Sequence, residues 1–182
     1  NPPILIFSPA RRGKDNTTKH TLDNVLEVPE VVINMVDYDL VHACSLASTD
    51  YPQGVNEFEK AGLTEVPSVT ITPPRVLESP VSMECKVLKV ESFGPNPGAG
   101  NLVFCEIKRM HFRNNVLGSD GLPDADLLDL VARCGGSYYT RASKEALFEI
   151  PKPIANLGIG VDAIPKDICT SSILTGKHLA ML

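Results

Sequence analysis

The residues best equipped for chemistry lie together between Ser8 and Asn24, in the stretch SPARRGKDNTTKHTLDN. Arg11, Arg12, Lys14 and Lys19 fall within nine residues, interleaved with Ser8, Asn16, Thr17, Thr18 and Thr21. Cations, hydroxyls and the unpaired N–H groups of a helix start would converge there, which is the chemistry a phosphate or similar anion requires. On its own, such a cluster is equally what a solvated basic loop looks like. It stands out because the chain is acidic overall, with 17 Lys+Arg against 22 Asp+Glu and a net charge of −5.

No other stretch competes. Gly98-Ala99-Gly100 and Gly158-Ile159-Gly160 lack the third glycine of a dinucleotide fingerprint and do not join a strand to a helix, so both read as turns. His20, His42, His111 and His178 show no H-x-x-x-H spacing, which leaves a metal site without support. There is no G-x-S-x-G nucleophile motif. His42 and Cys44 are neighbours in sequence but fall on different faces of a helix.

The elements around the basic stretch are set up to position it. Ile4 to Ser8 reads as a short buried strand, broken by Pro9 and Gly13. Asn16 or Thr17 is suited to cap a helix over about Thr18 to Val28, with Leu22, Val25 and Leu26 as its buried stripe and Pro29 as its stop. The basic loop then feeds the positive end of that helix. Glu30 to Val36 reads as a buried strand. Asp37 or Asp39 caps a second helix to about Leu46, and a short helix from Asn56 to Ala61 ends at Gly62. Val81 to Phe93 alternates so that Val81, Met83, Cys85 and Val87 face the core while Ser82, Glu84 and Lys86 face water. With Leu102 to Phe112 it forms a long antiparallel hairpin through GPNPGAGN. Asp124 caps a helix running to Cys134, with Leu127, Leu128 and Val131 inward and Gly135-Gly136 ending it. The stretch 1–145 reads as one domain, and 146–182 as an extended arm that packs on it or on a partner subunit. The pattern implies a mainly β chain with helical insertions (α+β), a barrel or strongly curved antiparallel sheet and not a doubly wound parallel one.

Composition narrows the function classes. The acidic balance argues against a nucleic-acid binder, and the absence of Trp leaves little for stacking on bases. No apolar run approaches a membrane span. Five scattered cysteines (Cys44, Cys85, Cys105, Cys134, Cys169), never as C-x-x-C, suit free thiols in a reducing cytoplasm better than a disulfide framework or zinc site. The chain opens directly onto the apolar strand after Asn1-Pro2-Pro3, so further residues are expected ahead of Asn1.

The order of these elements resembles the flavin reductase family, the FMN-binding split β-barrels that include flavoredoxin and the reductase components of two-component monooxygenases. NPPILIFSPARR resembles the family's N/D-P-P strand leading to a serine and an arginine. KHTLDNVLEVPEVVINMV resembles its K-D-T-x-x-N-I helix and following strand. SLASTDYPQGVNEFEKAGLT resembles its polar segment ending in D-E-F and A-G-L-T, and PPRVLESPVSMECKV with GNLVFCEIKRMHF its central hairpin. The likeness covers about Asn1 to Tyr139. Two departures are visible: His20 stands where the family commonly has Asp, and residues 13–18 lengthen the loop. Family members also carry strands ahead of the N-P-P strand, which supply part of the flavin pocket.

The resemblance implies an FMN-dependent NAD(P)H:flavin oxidoreductase, a homodimer passing electrons to an acceptor or a partner monooxygenase. It implies FMN as cofactor, with its phosphate held by Ser8, Arg11, Lys19, Thr21 and the helix N-terminus, His20 among the cofactor-binding residues, and Ser48 near the ring. Because the flavin carries the hydride chemistry, no acid/base triad is required. A non-catalytic FMN-binding or electron-carrier protein, and a domain whose basic loop binds some other anion, remain open alternatives.

Overall fold

Among the described residues eight strands form in chain order: β1 (Ile4–Phe7), β2 (Glu30–Asn34), β3 (Glu65–Val66), β4 (Arg75–Val76), β5 (Val81–Ser92), β6 (Asn101–Phe112), β7 (Val131–Gly135) and β8 (Tyr138–Arg141). The computed structural model describes residues 1–150 and 164–179. The chain divides into two units, Asn1–Leu147 and Phe148–Leu182. In the first, an antiparallel sheet runs β1-β6-β5-β2, while β3-β4 and β7-β8 are separate two-stranded ribbons. The architecture is mainly β with helical insertions: α1 (His20–Glu27), α2 (Val41–Ala47), α3 (Glu57–Ala61) and α4 (Ala125–Leu128). In the second unit the described residues hold α5 (Lys166–Cys169) and α6 (Gly176–Leu179). The rest of the expected arm, 151–163 and 180–182, lies outside the described residues.

The β5–β6 hairpin is the spine. Its register shifts between Glu84 and Cys85 and between Val87 and Lys89, and such bulges bend and twist the pair. Val81, Met83, Cys85 and Cys105 form the buried centre, with Leu5, Phe7, Val31 and Ile33 packed against it from β1 and β2. Burial pushes the Cys85 thiol up to about 12, with Cys105 beside it adding to the shift. Cys105 is raised by its own burial. Both act as small core hydrophobes, not as reactive thiols.

The alternation along β5 proves misleading on its second face. Ser82 and Glu84, expected to be wet, are buried. The turn-rich segment between β3 and β4 folds over them. Val69 and Thr70 donate their N–H groups to Glu84 at 2.8 and 2.7 Å, and Ser82 donates to Asn34 Oδ1 at 2.9 Å. The expected helix from Asp124 to Cys134 is also corrected. Asp124 does cap it, accepting from the N–H groups of Asp126 and Leu127. After one turn, however, Asp129 adopts the left-handed conformation (φ 47°), and both its carboxylate oxygens take Arg141 at 2.6 Å. The chain then enters β7, and Gly135-Gly136, both at positive φ, make the β7–β8 turn instead of ending a helix. Leu127 is exposed as a result.

Two further expectations shift. α1 starts at His20, with Lys19 as its N-cap residue and no side chain capping it. Asn16 instead sits at φ 60° inside the loop, and Leu26 is 64% exposed, so α1 buries only Leu22 and Val25. Asp37 does serve the second helix. Its Oδ1 accepts from Leu40 N at 2.9 Å, while its Oδ2 takes Arg113 Nη2 at 2.7 Å, tying α2 to the end of β6.

Candidate functional site

The chain leaving β1 is pinned to the turn of the β5–β6 hairpin. Asn101 Nδ2 donates to Pro9 O at 3.0 Å, Arg11 N to Ala99 O at 2.9 Å, and Gly98 N to Arg11 O at 3.2 Å. The approach is close enough that a Cβ on Gly100 would stand 2.9 Å from Ser8 Oγ. From Arg12 the loop closes on itself, with Arg12 N donating to Thr17 O and Asn16 N to Arg12 O. Asp15 accepts from both the hydroxyl and the N–H of Thr17, and these bonds hold its carboxyl below the usual range. A compact loop thus delivers the chain to the N-terminus of α1.

This loop, the start of α1 and the segment following α2 border an open cavity of about 710 Å3. Arg11, Lys19, His20, Thr21 and Ser48 all line it, so five of the six residues singled out from sequence come together. Ser8 does not line it; its side chain faces Gly100.

The electrostatics sort the cations. Four of them (Arg11, Arg12, Lys14 and Lys19) line the cavity against two carboxylates, Asp50 and Glu57. Arg12 and Lys14 are spent on Asp50, with contacts of 2.9 and 2.5 Å. The bond from Lys14, then that from Arg12, holds the Asp50 carboxyl below its ordinary value, and the same contact raises Lys14. Arg11 is different, because among the described residues it bonds only neutral acceptors: Nε to Asn16 Oδ1 at 2.8 Å and Nη2 to the Asn16 carbonyl. Asn16 is itself anchored by donating to Pro95 O at 2.9 Å. The Arg11 guanidinium is therefore aimed but not neutralised. Among the described residues the Lys19 ammonium makes no hydrogen bond or ion pair. Beside it, α1 begins without a side-chain cap. An oriented guanidinium, an unpaired ammonium and an uncapped helix start are the features that the binding of an anion calls for.

Ser48 contributes less than its position suggests. Its hydroxyl donates to Cys44 O at 2.8 Å, closing the last turn of α2, so it presents lone pairs to the cavity and not a proton. Sequence reasoning did not single out Asp50, which pairs with two of the four cations, or Asn16 as the residue that orients Arg11. Asn16 carried a readable signal, since Asn tolerates left-handed φ. Asp50 carried none, standing 36 residues from Lys14 in a polar segment.

Known proteins share the sequence pattern and the fold of this chain. Residues 1–138 match the family model described as flavin reductase like domain. An uncharacterized protein of Aquifex aeolicus is 33% identical over 149 residues, 82% of this chain and 74% of its own length. Among solved structures, nitrilotriacetate monooxygenase component B from Bacillus cereus superposes with a TM-score of 0.74 at 27% identity, covering 82% of this chain and 73% of that one. The 2-nitrobenzoate 2-nitroreductase of Pseudomonas fluorescens gives a TM-score of 0.69 at 28% identity, over 86% and 74% of the two chains.

Proposed function

This chain belongs to the flavin reductase-like family, and from that premise we propose that it is an FMN-dependent NAD(P)H:flavin oxidoreductase whose loop-and-helix cavity holds the FMN phosphate. The family sets the coarser statement, a flavin reductase or FMN-binding role with a split-barrel fold. The finer reading is supported by one observation above all. Two positive charges, Arg11 and Lys19, line the cavity without a carboxylate paired to either among the described residues.

FMN fits this cavity. About 710 Å3 lies within the usual range of roughly 300–1,000 Å3 for ligand pockets. A phosphate monoester carries about −1.5 to −2 charges at pH 7, which Arg11, Lys19 and the uncapped N-terminus of α1 would balance. Thr21 and His20 line the same cavity. Bound FMN supplies the hydride chemistry. The chain's own task is to bind the phosphate, fix its position through the Asn16-braced arginine, and leave the ring open to a nicotinamide.

Likeness to a monooxygenase component B supports a partner monooxygenase as the electron acceptor. A homodimer is proposed on the exposed apolar side chains of the sheet, Ile4 and Ile6 on β1 and Leu88 on β5. The test is anaerobic incubation of the purified protein with FMN and NADH or NADPH. Flavin absorbance at about 450 nm, a property of the cofactor, is expected to bleach with one nucleotide. Tight FMN binding with no bleaching by either nucleotide would refute the reductase and leave a flavin carrier.

A further inference from the structure

Asp50 occupies the wall of the same cavity and takes two of its four cations, which are not alike. Arg12 has a side chain only 15% exposed, and besides Asp50 it donates to Thr17 Oγ1 at 3.2 Å and to the Thr18 carbonyl. It is committed to the loop. Lys14 is 67% exposed and has Asp50 as its single side-chain partner among the described residues, at 2.5 Å. It also lies in the 13–18 stretch that lengthens the loop. A flexible lysine held by one half-exposed carboxylate is a cation that can change partners, because its ammonium is a point charge on a four-carbon stem. The carboxylate that holds it stands in a cavity where Arg11, Lys19 and the uncapped start of α1 favour an anion and only Glu57 joins it in opposing one.

We propose that Asp50 is an internal anion that competes with the flavin's phosphate for Lys14, so that FMN is held weakly enough to exchange. This rests on the phosphate reading of the cavity given above. While Lys14 stays on Asp50, the phosphate meets Arg11 and Lys19 alone. For Lys14 to join them, it must leave Asp50 uncovered beside a ligand of the same sign. Either way the carboxylate subtracts from phosphate binding and shortens the life of the complex. The ring and ribityl chain, which carry no charge, are untouched by the exchange. Asp50 thus makes the flavin a substrate that passes through, where the same cavity without it would retain a resident cofactor.

The experiment measures FMN and riboflavin affinity by fluorescence, and FMN release by stopped flow, on the full chain. Asp50→Asn keeps an oxygen acceptor for Arg12 while removing the charge. FMN is expected to bind about 5- to 10-fold tighter, the size of one screened charge pair near a surface, mostly through slower release, with riboflavin unchanged. Adding Lys14→Ala to Asp50→Asn restores the original net charge and should return FMN affinity to within about twofold of wild type, by the same electrostatics. Lys14→Gln alone, which leaves Asp50 in place, uncovers the carboxylate and should weaken FMN about threefold. Unchanged or weaker FMN binding in Asp50→Asn overturns the proposal. So does an equal gain for riboflavin, a gain retained in full in the double variant, or tighter FMN in Lys14→Gln. Wild-type protein that binds FMN and riboflavin equally would sink the phosphate reading itself, before any variant is made.

Discussion

Glu84→Gln is a one-atom change with a large expected cost. Glu84 is fully buried, yet it is a charged acceptor with every lone pair engaged. Its Oε1 accepts from Val69 N at 2.8 Å and meets His111 Nε2 at 2.6 Å. Its Oε2 accepts from Thr70 N at 2.7 Å and Thr70 Oγ1 at 2.5 Å. Arg75 Nε stands 3.9 Å away. Burial pushes the carboxyl up, but the Thr70 hydroxyl, the two N–H groups and His111 outweigh it and hold the group at about 2 against an ordinary 4.5. A shift of that size corresponds to about 3 kcal/mol of folding stability by linkage. A glutamine cannot reproduce the arrangement, because whichever oxygen becomes an amide points two hydrogens at donors.

The sign follows from the direction of the shift. A carboxyl with a depressed folded-state value stabilises fully above the unfolded value near 4.5, and the contribution disappears as pH falls through about 2. The variant should therefore be about 3 kcal/mol less stable than wild type at pH 7, with the gap falling to about 1.4 kcal/mol by pH 3. Urea unfolding followed by circular dichroism at pH 7, 5, 4 and 3 measures both. A gap below about 1 kcal/mol at pH 7, or one as wide at pH 3 as at pH 7, would refute the assignment of a clamped, ionised Glu84.

Two other outcomes bear on the cavity. Arg11→Ala and Lys19→Ala should each weaken FMN about 10- to 100-fold, the range for hydrogen bonds to charged groups, while riboflavin changes little; titration with both ligands checks it, and parallel losses would mean the loop does not hold the phosphate. Asn16→Gly keeps the left-handed backbone without strain but frees Arg11 from its brace. FMN affinity should fall about 3- to 10-fold through the lost preorganisation, with thermal stability nearly unchanged; a large drop in melting temperature would show that Asn16 serves the fold and not the arginine.

What could be read from the sequence was what is decided locally. Arg11 and Asn16 are five residues apart, and the loop, the strand before it and the helix after it lie within one short stretch, so their convergence was legible. The same holds for Asn56 and Gly62, which bound α3 as expected, the first accepting from Phe58 N and the second turning at φ 67°. Where the deciding partner is distant, the pattern misled. Alternation along β5 states that its two faces differ, not that one is wet. Glu84 became buried because a segment 14 and 15 residues upstream needed an acceptor for its N–H groups. The helix expected to Cys134 stopped because Asp129 found Arg141 twelve residues on, and a bidentate ion pair holds a left-handed turn that helical spacing does not anticipate. Asp50 follows the same rule, with Arg12 and Lys14 lying 38 and 36 residues away. A cluster of cations can announce that an anion binds, but how firmly depends on which carboxylates the fold brings back to it. Here the fold brings back Asp50 and Glu57, and of these Asp50 covers the two cations that Arg11 and Lys19 leave over.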